Sequence, residues 1–157
     1  MLEEHHNKES LPLIQWVNYE NLNSIRKEVG EVERVVETVL GISRDDSFFE
    51  ITKMAILEKI FYSSLQELSQ EIWEQLENTD SNTEISKGDF QKAKEYAEYY
   101  KKNYDGLVAA IKKGEKLPAP VILHWDERYH LISGNTRLMI AKASGQIPQI
   151  IVVDYDS

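Results

Sequence analysis

Gly134, Asn135, Thr136 and Arg137 follow one another where a strand-like run, Tyr129-His130-Leu131-Ile132, gives way to a helix-like one, Leu138 to Ser144. A strand that turns through glycine into a helix leaves unbonded N–H groups at the helix start. With the positive end of the helix dipole, those groups form an anion site. Gly134 lets the backbone approach a phosphate, Asn135 and Thr136 bring side-chain donors, and Arg137 adds a forked cationic donor. The same four residues also fit a plain strand-to-helix connection with Arg137 in a surface ion pair. Taken alone, they fit that plain connection better.

Phosphoryl chemistry at such a turn needs a proton acceptor and Mg²⁺, the metal being held by a carboxylate and by the phosphates themselves. His130 and His124 lie close to the turn in sequence, and each also fits an ordinary sheet residue. Glu20 and Asp105 are the carboxylate candidates. The expected catalytic set is therefore His130, Asp105 and Glu20. His5-His6 reads better as a pair of exposed side chains than as metal ligands, and no protein-built metal site is expected.

The elements that position these residues follow from periodicity. Leu11 to Val17 reads as a short strand with Pro12 at its edge. Leu22, Ile25, Val29, Val32, Val36 and Val39 form one apolar stripe, so a helix is expected there. Asn18 or Asn21 would cap it, Gly41 would follow it, and a break or close contact is open at Gly30. A second, longer helix is expected from Phe48 to Glu77, antiparallel to the first. Asn78 to Thr83 is the most loop-like segment. Helices follow from Phe90 to about Lys102 and from Tyr104 to Gly114, the latter capped by Asp105. Strands follow at Val121 to His124, Tyr129 to Ile132 and Gln149 to Val153. The fold class is α+β: a mainly helical region over residues 1–83, then a small mixed-sheet domain over 84–157.

The 157 residues contain no cysteine, which excludes disulfides, thiolate metal sites and a cysteine nucleophile. The formal net charge of −9 argues against strong binding to a phosphate backbone, although Lys92, Lys94, Lys101, Lys102, Lys112, Lys113 and Lys116 concentrate in one stretch. Tyr96, Tyr99 and Tyr100 lie among those lysines and suit either base stacking or packing at a helix edge. No secretory signal and no run long enough to span a membrane is seen, so a cytoplasmic location is expected.

From Leu107 onward the chain resembles the ParB/sulfiredoxin superfamily. The elements that carry the resemblance are Leu107 to Ile111, Gly114, Pro120-Val121-Ile122-Leu123, Tyr129 to Ile132, Gly134-Asn135-Thr136-Arg137, Ala141, Gly145 and Ile150-Ile151-Val152. They cover about a third of the chain. The resemblance implies that Gly134, Asn135, Thr136 and Arg137 hold nucleotide phosphates, with ATP or CTP as the nucleotide and Mg²⁺ as its companion. Two of the superfamily's activities do not carry over. Sulfiredoxins have cysteine where this chain has Asn135. Partition proteins have a Gly-Glu-Arg-Arg turn and a helix-turn-helix downstream, neither of which occurs here. The Gly-Asn-Thr-Arg turn is similar to the ParB-like nuclease proteins common in phages, a name that describes a fold more than a reaction.

The expected function is thus a nucleotide-binding phosphotransferase or NTPase. The alternatives are a non-catalytic interaction module of the same fold, with a homodimer through the N-terminal helices, and a DNA-acting protein such as a ParB-like nuclease or a DNA-base kinase, which the net charge disfavours.

Overall fold

The computed structural model describes residues 11–155, so the His5-His6 pair lies outside the described residues. In chain order the elements are β1 (Gln15–Val17), α1 (Leu22–Arg26), α2 (Val29–Thr38), α3 (Phe48–Tyr62), β2 (Gln66–Glu67), α4 (Gln70–Gln75), α5 (Phe90–Tyr99), α6 (Tyr104–Lys112), β3 (Lys116–Pro118), β4 (Val121–Trp125), β5 (Arg128–Ser133), α7 (Asn135–Ser144) and β6 (Gln149–Asp154). The fold is α+β. No helix among the described residues is long and apolar enough to cross a membrane.

The main sheet has the order β2-β6-β4-β5. Its middle strands are β4, with the run Val-Ile-Leu, and β6, with Ile-Ile-Val-Val. Such continuous apolar runs suit strands covered on both faces. β4 pairs antiparallel with β5 and parallel with β6. The β4–β5 hairpin turns through Asp126 and Glu127, both left-handed (φ 54° and 59°), as a tight two-residue turn requires. The chain then leaves β5 through Gly134, forms α7, and returns as β6. A second small sheet joins β1 to β3 in parallel.

Two expected helices are broken, for identifiable reasons. The first stripe divides into α1 and α2 at Lys27 and Glu28, not at Gly30. Gly30 lies inside α2, and a β-carbon there would meet nothing within 4 Å. Asn21 caps α1 through its side chain. The stretch expected as one helix from Phe48 to Glu77 ends at Tyr62. Asn18 donates its side-chain amide to the carbonyls of Ile60, Phe61 and Ser63, which satisfies the end of α3. Ser63 is extended, and Gln66–Glu67 then pairs with β6. Asn103, not Asp105, caps α6, its side chain accepting from the Gly106 N–H at 2.9 Å.

The core does not divide at residue 83. Val32, Val35, Val36, Ile56 and Ile60 of α2 and α3 pack with Val121, Leu123, Ile151 and Val153 of the sheet. On the same sheet, Leu68, Trp73 and Leu76 pack with Ile122, Leu131, Leu138 and Ile150. A third cluster unites α5, α6 and α7 with Ile14 and Leu117. α3 leaves Phe48, Ile51, Met54 and Tyr62 exposed on its outer face.

Candidate functional site

The strand-to-helix turn opens onto a cleft of about 1020 Å³. Gly134 adopts φ +111° and places its Cα hydrogens where a β-carbon would stand 2.7 Å from Pro120 Cβ and 2.8 Å from Pro120 Cα. Only glycine fits both the conformation and the space. Its carbonyl accepts from the Leu138 N–H at 2.9 Å and so begins α7. The amides of Asn135, Thr136 and Arg137 precede the first intrahelical bond. No side chain caps them, and the first turn holds no acidic residue. They give the positive end of a ten-residue helix, with no acidic side chain in its first turn to neutralise it.

Arg137 lies in that first turn. Its Nε and Nη2 are sealed from solvent without a hydrogen-bond partner, and it makes no ion pair among the described residues. A buried donor left unmet costs about 1–3 kcal/mol. The guanidinium lines the cleft and has no anionic partner among the described residues.

Asn135 has a different part from the one its type suggests. Its Oδ1 accepts from Thr79 Oγ1 (2.6 Å) and from the Asp80 N–H (3.0 Å), and its Nδ2 donates to Asp80 Oδ2 (3.0 Å). The side chain ties the loop at 78–82 to the helix start, so its amide oxygen and nitrogen are engaged within the protein. Thr136 is buried on the cleft wall.

The far walls come from the helical region. Tyr19, fully in the core, donates its hydroxyl to Glu28 Oε1 at 2.8 Å. Burial raises the Tyr19 pKa far above the usual phenol range, while the Arg137 charge pulls it the other way. The phenol therefore remains a donor at every working pH. Glu28 is buried at the α1–α2 junction and lines the cleft. Arg34 pairs with Glu31 at 2.9 Å and donates to the carbonyls of Leu131 and Ile132 at 3.4 and 3.3 Å, which braces α2 against β5. Lys27, Lys102, Asn78 and Asn103 complete the rim. In a chain of net charge −9, the cleft is lined by four cations, Lys27, Arg34, Lys102 and Arg137, against three carboxylates, Glu28, Glu31 and Asp80.

The expected catalytic residues lie elsewhere. His130 is on β5 but faces a separate crevice with Glu77, Trp125 and Arg128, on the other side of Arg34 from the cleft. Its Nδ1 is 3.6 Å from Glu77 Oε1 and its Nε2 3.4 Å from Arg34 Nη1. Burial first, and then the Arg34 charge, lower its pKa. Asp105 is largely exposed and paired with Lys94 at 3.4 Å. Glu20 is exposed because its neighbour Tyr19 takes the inward position. His124 is bound to Asp154 at 2.7 Å and stacked on Tyr129, outside the cleft. Of the lysine cluster, Lys102 alone lines the cleft, and Lys92 and Lys94 are paired with acids.

Tyr19, Glu28, Arg34 and Asp80 were not among the expected site residues. One signal was present for Glu28. It lies three residues after Ile25 and four before Val32, a carboxylate on an otherwise apolar stripe.

The chain matches no protein-family model, no curated protein and no solved structure.

Proposed function

We propose that the cleft binds the phosphates of a nucleoside triphosphate, ATP or CTP, at the Gly134–Arg137 turn, and that the protein transfers or hydrolyses the terminal phosphoryl group. The observation that carries this reading is Arg137. Its unmet guanidinium donors lie in the first turn of a helix whose opening amides are uncapped. A phosphate chain at the turn supplies a counter-charge to the half-buried guanidinium and acceptors for the opening amides. The order of strand, Gly-Asn-Thr-Arg turn, helix, Gly145 and strand supports a ParB/sulfiredoxin-like site.

Glu28 is the carboxylate best suited to act as base in this reading. Its Oε1 is committed to Tyr19, and its second oxygen accepts the proton of an acceptor hydroxyl or of water. The acceptor oxygen bonds to the terminal phosphorus, the bond from that phosphorus to the bridging oxygen breaks, and the nucleoside diphosphate leaves. Mg²⁺ supplies charge neutralisation on the phosphates when bound. Among the described residues no three acidic or histidine side chains group to hold a metal alone. Glu31 and Asp80 each keep one oxygen uncommitted, which fits an ion carried mainly by phosphate with one protein carboxylate.

Thermal unfolding with ATP, CTP and inorganic triphosphate, each with Mg²⁺, tests the reading. A ligand at one hundred times its Kd adds about 2.7 kcal/mol, a rise of several degrees in Tm. The rise is expected for the wild type and not for Arg137→Ala. No rise with any of the three ligands, or an equal rise in the variant, overturns it.

A further inference from the structure

Tyr100 stands at the end of α5, 43% exposed, and lines the same cleft as the phosphate turn. Its hydroxyl donates to Asp80 Oδ2 at 2.8 Å. The same oxygen accepts from Asn135 Nδ2 at 3.0 Å, and Asn135 is the first residue of α7. One carboxylate oxygen therefore joins an aromatic ring to the start of the anion-binding helix. Asp80 is itself fixed, since its N–H donates to Asn135 Oδ1. The Asp80 hydrogen bond pushes the Tyr100 pKa up to about 12, so the phenol stays protonated and the link holds at neutral pH. Tyr99 packs edge-to-face with Tyr100, and among the described residues neither it nor exposed Tyr62 has such a tether.

Beyond Tyr100 the wall carries Lys102, Asn103 and Leu107. Lys101 is left-handed (φ 60°) and turns the chain so that Lys102 and Asn103 line the cleft. Asn103 spends its Oδ1 on the Gly106 N–H, which leaves its amide group as a donor. Leu107 adds an alkyl surface. An aromatic face, an alkyl contact, one amide donor and one cation suit a planar heteroaromatic ring with acceptor atoms. A sugar phosphate would ask for a dense array of donors and acceptors.

We propose that Tyr100 is the stacking platform for the base of the bound nucleotide, held at a fixed offset from the phosphate turn by the shared Asp80 oxygen. This inference rests on the phosphate reading of the turn. Tyr100 lies outside the segment that resembles the ParB/sulfiredoxin pattern, so the specificity it confers comes from the end of α5, upstream of that segment.

Calorimetric titration of the full chain with inorganic triphosphate, ATP and CTP, each with Mg²⁺, separates the two readings. The wild type is expected to bind a nucleotide more tightly than inorganic triphosphate. Tyr100→Ala is expected to weaken nucleotide binding by roughly 5- to 100-fold and to leave triphosphate binding within about twofold. Tyr100→Phe, which keeps the ring and loses the tether to Asp80, is expected to fall between the wild type and the alanine variant in nucleotide preference and serves if the alanine variant does not fold. Nucleotide binding no tighter than triphosphate binding, a preference that survives Tyr100→Ala, or a Tyr100→Phe variant that binds nucleotide as the wild type does, overturns the tethered platform and leaves the phosphate site standing. An equal loss for all three ligands in Tyr100→Ala also overturns it, since the ring then only supports the turn. Failure of the wild type to bind any of the three removes the phosphate reading as well.

Discussion

The Tyr19 hydroxyl lies 2.8 Å from Glu28 Oε1, a buried phenol holding a buried carboxylate in the wall of a cleft also lined by Arg137, which has no ion-pair partner among the described residues. Buried opposite charges ordinarily pair directly. Here Glu28 and Arg137 form no ion pair, although both line the cleft. Glu28→Gln keeps an oxygen for Tyr19 and is expected to preserve the fold and the nucleotide-induced rise in Tm. Turnover, followed by release of nucleoside diphosphate, is expected to fall about 100-fold or more. Turnover at the wild-type rate would remove Glu28 from the chemistry.

Arg137 is costly in the ligand-free protein because two of its nitrogens are buried without acceptors. Arg137→Met is therefore expected to match or exceed the wild type in stability, by about 1 kcal/mol, while losing phosphate binding. Urea unfolding without ligand, paired with titration of inorganic triphosphate, checks both halves.

Gly134→Ala has no such compensation. The new methyl meets Pro120 and Arg137 Nη2 within 3.0 Å, at a φ that L-residues rarely adopt. A loss of about 2 kcal/mol or more is expected, seen as a lower urea midpoint. Gly30→Ala goes the other way. Gly30 is helical and open on its side-chain face, so the substitution is expected to add about 1 kcal/mol.

His130 makes stability pH-dependent. Its folded pKa is lowered by burial and by Arg34, with Glu77 opposing and Arg128 adding to the lowering. Below the unfolded value near 6.5, the unfolded chain takes up a proton that the folded chain refuses. This contribution is complete above that value and is lost as the pH falls toward the folded pKa. Moving from pH 7.5 to 5.5 is expected to lower the unfolding free energy, by at most about 1.4 kcal/mol per pH unit from this group. His130→Gln is expected to flatten that slope in urea titrations at the two pH values.

The expected features that hold up are the local ones. A glycine between a β-branched run and a helix-forming run makes the turn at Gly134, and β-branched and aromatic content along Arg128–Ser133 and Gln149–Asp154 makes the strands. Local pattern also misled. The apolar positions between Phe48 and Glu77 read as one helix because Leu65 and Leu68 keep its period. The break at Ser63 comes from Asn18, distant in sequence, which takes up the carbonyls at the end of α3, and from β6, which offers Gln66–Glu67 an edge to pair with.

The sequence by itself determined the strand-to-helix turn at Gly134, because a helix start and its nearest side chains are set within a few residues. It did not determine which carboxylate or which ring faces that point. Glu20 and Asp105 differ from Glu28 and Asp80 only in the direction that packing gives them. Tyr19 turns inward and leaves Glu20 outside, and Asn135 draws Asp80 onto the helix start. Those choices depend on contacts across the whole chain, between the helical region and the sheet, and only the tertiary structure makes them.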